Sequence, residues 1–292
     1  MSLVVLLVLV GGPLVLAVLA ITALSLTRER VDTRREWTSV RATWLAALVI
    51  GGIAAWLIQD GLDLGRGTML VPTVLGLFVV AGVGLGETVV RPPRPTGPRS
   101  ASLAPRRVAD YVPQALATAV AAMTALHLAT LALTTATAST DDVGRAGRRV
   151  AAQCGDIGSA ASPYPGSFYS VPLIALLGVI GVLTAAALMT VVRRPRGFAP
   201  DDMGDDVLRR RSATRVVAAA GAAVAASHAG VAFFAGAALH RMDCQDAWMA
   251  PVGSVLLASV PVALLLLGWS IGRIVTPGGL GRASLTRPAA AA

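Results

Sequence analysis

Residues 169–196 read YSVPLIALLGVIGVLTAAALMTVVRRPR, and this stretch combines the two features that decide the fold. Residues 169–192 carry no charge, and these 24 residues would form a helix long enough to cross the hydrocarbon core of a bilayer, about 30 Å thick. Three arginines follow within the next four residues, as is typical of segments that stay on the cytoplasmic side. The stretch therefore predicts a transmembrane helix whose carboxyl end lies in the cytoplasm.

The composition of the chain supports the same interpretation. Of its 292 residues, 55% are hydrophobic and 14% are charged, whereas soluble domains carry about 25% charged residues. The mean hydropathy is +0.69. Strands of a membrane barrel need only about 10 residues and alternate polar with apolar side chains, a pattern that these stretches lack. The chain is therefore predicted to be an all-α, polytopic integral membrane helical bundle.

Seven such stretches predict seven transmembrane helices in a single bundle domain, residues 1–272. Residues 3–26 are interpreted as a retained N-terminal anchor, because no charge precedes them and a signal peptide has an apolar core of only about 7–15 residues. The other six would form three hairpins, and residues 273–292 would form a disordered cytoplasmic tail. The predicted spans are 3–26, 42–58, 69–88, 113–137, 169–192, 216–239 and 252–272.

The arginines are sorted by the side of the membrane. All 25 basic residues are arginine, and the alternating loops carry 20 of them on one side and 5 on the other. Because cytoplasmic loops retain positive residues, we expect a plasma-membrane protein with its N-terminus outside and its C-terminus in the cytoplasm. This pattern, with contact to anionic lipid heads, explains the net charge of +9, so nucleic acid is not an expected partner. The lack of lysine excludes a retinal Schiff base and a P-loop.

The three predicted hairpins show a weak internal similarity. Twelve residues after the aligned starts of their first helices stand Trp56, His127 and His228. Each second helix begins near a proline and is followed by another proline. Proline is tolerated in the first turn of any helix and is common after its end, so unrelated hairpins would share this part of the pattern. A triplicated repeat and a chance similarity both remain open interpretations.

Two cysteines, Cys154 and Cys244, both fall in predicted outer loops. The outer compartment is oxidising, and disulfides persist there. A redox dithiol or a metal site is the alternative, but the sequence has no CxxC motif and no His and Cys cluster with zinc spacing. We therefore expect a structural Cys154–Cys244 disulfide and no metal site.

Two histidines, His127 and His228, lie near the middle of predicted spans that run in the same direction. A polar ring in hydrocarbon is costly, so both mark a candidate interior site. Three roles are open for them: they bind b-type haem, they carry protons or substrate, or they are buried rings hydrogen-bonded to Thr, Ser or backbone carbonyls. We expect buried, hydrogen-bonded rings without a cofactor, and haem b is the alternative. Helical periodicity predicts one polar stripe that faces protein: Thr124, His127, Thr130, Thr134 and Thr137.

Residues 201–211 combine four aspartates with three arginines. A carboxylate cluster can bind a divalent cation. Acidic and basic residues this close in sequence are more often paired with one another in solvent. The segment is therefore predicted to be a solvated, self-paired part of a cytoplasmic loop.

The sequence predicts no catalytic residues, because it contains no nucleophile motif and no carboxylate near the middle of a span. The leading interpretation is a non-enzymatic accessory, scaffold or assembly component, with the bilayer and other membrane proteins as partners. The first alternative is a b-type haem electron-transfer protein that uses His127 and His228. The second alternative is a transporter or exporter built from repeated helical hairpins.

Overall fold

The computed structural model describes residues 34–89, 106–195 and 202–276. These ranges contain six helices, each long and apolar enough to cross a membrane, and one β-hairpin. The all-α bundle is thus confirmed, with six helices that are candidate spans, and the predicted span 3–26 lies outside the described residues. The elements are α1 (Arg34–Gly61), α2 (Arg66–Val89), α3 (Gln114–Thr137), β1 (Val150–Cys154), β2 (Ile157–Ala161), α4 (Ser167–Arg193), α5 (Asp202–His240) and α6 (Met249–Val275).

Several helices extend beyond the apolar stretches that predicted them. α1 begins at Arg34 and α5 begins at Asp202, so the prediction of a loop at residues 202–215 is wrong. α6 continues to Val275, three residues into the predicted tail, of which residues 277–292 lie outside the described ranges. Hydropathy predicts only the part of a helix that lies in the hydrocarbon core of the membrane. The helix itself can continue beyond that part, because each further turn adds backbone hydrogen bonds without a new nucleation cost.

The central helix of the bundle is α5. It packs against α2, α3, α4 and α6, and 78% of its most apolar stretch is buried, compared with 17% for α1. Residues 218–226 explain this position, because they are almost all alanine and small residues let helix backbones approach closely. An added methyl group at Gly76 of α2 would clash with Ala223, so the two backbones are nearly in contact there.

The helices pair as the three predicted hairpins only in part. α1 packs mainly against α2, and α5 packs mainly against α6. In contrast, α3 packs more closely against α5, and α4 more closely against α2, than α3 and α4 pack against each other. Trp56 is exposed, whereas His127 and His228 at the aligned positions are fully buried. These differences do not support a close triplicated repeat.

The two ends of the bundle differ in what they carry. The hairpin end comprises the β-hairpin, the carboxyl ends of α3 and α5, and the amino ends of α4 and α6. The arginine end is the opposite one, where Glu87, Arg194, Arg209 and Arg215 lie.

The hairpin end contains a small antiparallel sheet. Val150 of β1 is opposite Ala161 of β2, and Cys154 is opposite Ile157. Gly155 in the turn has a φ of +61°, a conformation that favours glycine. A disulfide joins Cys154 to Cys244 in the loop between α5 and α6, with Cα atoms 5.9 Å apart. The sequence predicted this pairing but not the hairpin, because two strands of five residues lack a regular alternation of polarity.

We predict that the protein has no free thiol and that the Cys154→Ser/Cys244→Ser variant is less stable. The disulfide joins positions 90 residues apart, for which the chain-entropy argument gives at most about 4–5 kcal/mol of unfolding free energy. The loss should be smaller than this, because the membrane already confines the unfolded chain. Mass spectrometry after alkylation without reductant and thermal unfolding in detergent check the two points. Two alkylated thiols in the unreduced protein would contradict the prediction.

Candidate functional site

The structure brings His127 of α3 and His228 of α5 together in the middle of the bundle. Their ring centroids lie 5.4 Å apart, and the ring planes are nearly perpendicular, at 86°. Both side chains are fully buried. The two residues are 101 positions apart in sequence, and both approach the same point because α3 packs against α5.

Three hydroxyl groups surround the two rings. Nε2 of His127 lies 2.9 Å from Oγ of Ser227, and Oγ of Ser227 lies 2.8 Å from Oγ1 of Thr73. Nε2 of His228 lies 2.9 Å from Oγ of Ser259. All three hydroxyl residues are buried. Together, Thr73, His127, Ser227, His228 and Ser259 form the histidine cluster, which connects α2, α3, α5 and α6.

Hydrogen-bond directions in the histidine cluster indicate the tautomers of the neutral rings. Thr73 donates to Ser227, and the described residues offer the Ser227 proton no acceptor other than Nε2 of His127, so we assign this proton to that nitrogen. Ser259 donates to a backbone carbonyl of its own helix at 2.6 Å, so it accepts a hydrogen bond from Nε2 of His228. His127 therefore carries its proton on Nδ1, and His228 carries its proton on Nε2.

The Nδ1 atoms are the open positions of the histidine pair. Both atoms are buried, and neither has a hydrogen-bond partner among the described residues. The tautomers make Nδ1 of His127 a donor and Nδ1 of His228 an acceptor. The two buried rings therefore present one donor and one acceptor that the hydrogen bonds of the histidine cluster do not use.

The arrangement does not fit a haem bound by both histidines. Such a haem lies flat between two rings that approach the iron from opposite faces, with metal–nitrogen distances of about 2 Å. Here the rings are in edge-to-face contact at 5.4 Å, which leaves no layer for a macrocycle. Both Nε2 atoms are also bonded to serine hydroxyls. The geometry favours the expectation of buried rings that are bonded to hydroxyl groups.

The predicted polar stripe of α3 lies beside the histidine cluster. His127, Thr130 and Thr134 are buried, whereas Thr124 and Thr137 are half-buried. Each threonine hydroxyl donates to the carbonyl four residues earlier in the helix, at 2.8–2.9 Å. The stripe therefore satisfies its own polar groups, as an apolar environment requires. Thr137 also lies 2.7 Å from the Tyr164 hydroxyl, which links the stripe to the hairpin end.

The arginine end contains a buried arginine that the sequence did not reveal. Arg209 is completely buried and donates at 2.8–3.2 Å to four carbonyls at the end of α4 and just beyond it: Val191, Val192, Arg194 and Pro195. It also pairs with Asp205 at 2.9 Å. Arg209 thereby caps the carboxyl end of α4, where carbonyls lack helical partners and a positive charge is favourable. The prediction of a solvated run at residues 201–211 is wrong for this pair, because α5 continues past the apolar stretch and turns both side chains towards α4.

Glu87 of α2 is the second buried charge at the arginine end. Its carboxylate accepts a hydrogen bond from Ser212 at 2.6 Å and pairs with Arg215 at 3.2 Å and Arg194 at 3.6 Å. Glu87 is the last residue but one of the predicted span 69–88. A usable signal was present, since Arg215 immediately precedes the predicted span 216–239, whose start was expected on the same side of the membrane.

The hairpin end is ordered around Asp141. This carboxylate accepts hydrogen bonds from the backbone N–H groups of Arg145 at 2.7 Å and Val143 at 3.1 Å, and it pairs with Arg148. The N–H of Arg145 is the main cause that lowers the pKa of Asp141, with smaller contributions from Val143 and the charge of Arg148. Arg148 also lies 5.2 Å above the ring of Phe168. The turn is therefore attached to the first turn of α4.

Comparison with known proteins gives no family for this site. No protein-family model matches the chain, and neither a curated protein nor a solved structure matches it. Within the described ranges, no three His, Cys, Asp or Glu side chains are grouped so that they could hold a metal ion. The functional argument therefore rests on the geometry of the histidine cluster and of the two ends.

We predict different tautomers for the two buried histidines. Solid-state NMR of protein labelled with ¹⁵N at histidine should find His127 protonated on Nδ1 and His228 protonated on Nε2, with the exposed His240 as a reference. Ser227→Ala removes the proton that Nε2 of His127 accepts, so this variant should change the His127 signals. The control Thr88→Ala, at an exposed position of α2, should leave them unchanged. The same tautomer at both buried rings would overturn the assigned hydrogen-bond directions.

We predict that Arg209→Gln destabilises the protein strongly. The change leaves the Asp205 carboxylate without its buried partner and caps the carboxyl end of α4 less well. Removal of one member of a buried ion pair typically lowers the free energy of unfolding by about 3–5 kcal/mol. Arg210→Gln is the matched control, because Arg210 is exposed on the same turn of α5. Thermal unfolding in one detergent compares the two variants. Equal melting temperatures would show that Arg209 does not hold α4.

Proposed function

We propose that the protein is a non-enzymatic accessory or assembly component of the plasma membrane, whose bundle presents the hairpin end to a partner membrane protein. In this proposal the hairpin end is outside, and the N-terminus is outside with the C-terminus in the cytoplasm. The sorting of the arginines supports this orientation, since the loops at the arginine end carry most of them. The disulfide at the hairpin end agrees with an oxidising compartment.

The observation that carries the proposal is that the hairpin end is a folded unit. A connection between two membrane helices requires only a few residues, whereas the segment between α3 and α4 contains a sheet, a disulfide and an Asp141-centred turn. It also shares a separate buried cluster with α5 and α6, which includes Val150, Tyr164, Leu239 and Met249. So much ordered structure is useful for presenting a surface of fixed shape.

The exposed side chains of the hairpin end suggest where a partner would bind. Ile157 lies beside the hairpin turn with 69% of its surface exposed, and Val143 lies in the Asp141 turn with 73% exposed. Apolar side chains at such tips are candidate anchors for a protein partner. The edge of β2 adds backbone groups with which an extended segment of a partner could pair.

We predict that a photo-crosslinking residue at Ile157 captures one discrete membrane protein in cells. The matched control is the same residue at Val207, which is an exposed apolar position at the arginine end. The crosslink should appear only from position 157, and it should be lost in the Cys154→Ser/Cys244→Ser background, because the hairpin then loses its anchor. Capture of lipid alone, or the same products from both positions, would contradict an accessory role through the hairpin end.

A proton-linked transporter is the second candidate function, and the histidine cluster is the observation that favours it. Titratable groups in the middle of a membrane bundle commonly mark ion pathways. Here the α3 stripe continues from His127 towards the hairpin end through Thr130, Thr134 and Thr137. Reconstitution into liposomes that contain a pH-sensitive dye separates the two candidates. Proton movement that is lost in His127→Gln would favour transport. If the wild-type protein moves no protons, the accessory role is favoured.

A further inference from the structure

A slot of about 190 Å³ lies on the side of the bundle between α1 and α6. Trp44 and Leu48 of α1 form one wall, and Ile271 of α6 forms part of the other. The floor is made by α2 and α5, including Ala222 and Ala226. All residues that line the slot have apolar side chains or are glycine.

The slot exists because of how the four helices pack. α1 packs mainly against α2, and α6 packs mainly against α5, so both flank the α2–α5 interface and leave a groove between them. The slot is deep because Gly76 lets α2 approach Ala223 closely, and because the side chains of the half-buried Ala222 and Ala226 are only methyl groups. A narrow apolar groove on a membrane helix bundle suits a flexible hydrocarbon chain.

Positive charge surrounds the slot at the arginine end of the bundle. Arg41 precedes Trp44 by one helical turn, and Arg215 precedes Ala219 of the floor by one turn. Arg273 is adjacent to Ile274, which also lines the slot. Arg41 and Arg211 are close enough to Arg215 for their charges to repel it. Since Arg215 is already paired with Glu87 at 3.2 Å, an anion at this position would be attracted mainly by Arg41, Arg211 and Arg273.

We propose that the slot binds one acyl chain of an anionic phospholipid, whose phosphate lies against Arg41 and Arg211. The apolar lining takes the chain, and the arginines donate charge-assisted hydrogen bonds to the phosphate oxygens. The proposal rests on the membrane placement given under the proposed function, because the lipid then comes from the leaflet at the arginine end. It does not depend on a protein partner at the hairpin end.

The test uses the full chain in nanodiscs of phosphatidylcholine with and without phosphatidylglycerol, followed by native mass spectrometry. The wild type should retain one phosphatidylglycerol in preference to phosphatidylcholine. Ala222→Phe fills the slot and should abolish retention, whereas Ala121→Phe, on the exposed face of α3, should not. Arg41→Gln should reduce the preference for phosphatidylglycerol about tenfold, as expected for the loss of a charge-assisted contact. Arg210→Gln, at an exposed position, should leave it unchanged.

A second measurement does not depend on the folding of a slot-filling variant. Phosphatidylglycerol with brominated acyl chains should quench the wild-type tryptophan fluorescence more than that of Trp44→Phe, because Trp44 lines the slot. Equal quenching, or equal lipid retention in Ala222→Phe and the wild type, would overturn the proposal. Equal retention of both lipids would refute the role of the arginines.

Another occupant of the slot would give a different result. If residues 3–26 cover it, cysteines placed in that segment and at Leu48 should crosslink while no lipid is retained, and the proposal fails. Failure of lipid binding can be distinguished from failure of the proposed function. Ala222→Phe should abolish lipid retention but leave the crosslink from Ile157 intact, so loss of lipid binding and loss of partner binding are observed separately.

Discussion

Hydrocarbon offers no hydrogen-bond partner, so every polar group inside a membrane bundle has to find one within the protein. Most of the described interior follows this constraint, with Nδ1 of both buried histidines and Oγ of Ser270 among the exceptions. Threonines on α3 donate to carbonyls of their own helix. Nε2 of His127 on α3 is hydrogen-bonded to Ser227 on α5, and Nε2 of His228 on α5 is hydrogen-bonded to Ser259 on α6. At the arginine end, the Arg209 guanidinium supplies the hydrogen bonds that the last carbonyls of α4 lack.

The same constraint explains why α5 is central. A helix of small residues can be surrounded closely by four others, and it then places the few polar groups that it carries within reach of all of them. Ser227 and His228 bond to α3 and α6, while Ser212 and Arg215 bond to Glu87 of α2. Small residues provide close packing, and long-range hydrogen bonds specify which helices are neighbours. The Nδ1 atoms of His127 and His228 are exceptions to this pattern, because neither has a partner among the described residues.

Local sequence patterns predicted much of the fold. Apolar stretches gave six of the helices, and the Cys154–Cys244 pair and the inward direction of Thr130 and Thr134 followed from compartment and periodicity. Apart from the disulfide, the patterns could not predict contacts between distant positions. The partners of the histidines, the capping of α4 by Arg209 and the slot between α1 and α6 all depend on which helices meet, and hydropathy carries no information on that. The hairpin was missed for a related reason, since its short strands are defined by mutual pairing and by the disulfide.

We propose that the chain crosses the membrane with its arginine end in the cytoplasm and its hairpin end outside. Fusions of a periplasm-dependent phosphatase after residues 100, 144, 198 and 285 in a bacterial host test this most directly, because each position lies in a different connection or tail. The account predicts phosphatase activity only for the fusion after residue 144. Activity after residue 100, 198 or 285, or none after residue 144, would contradict it.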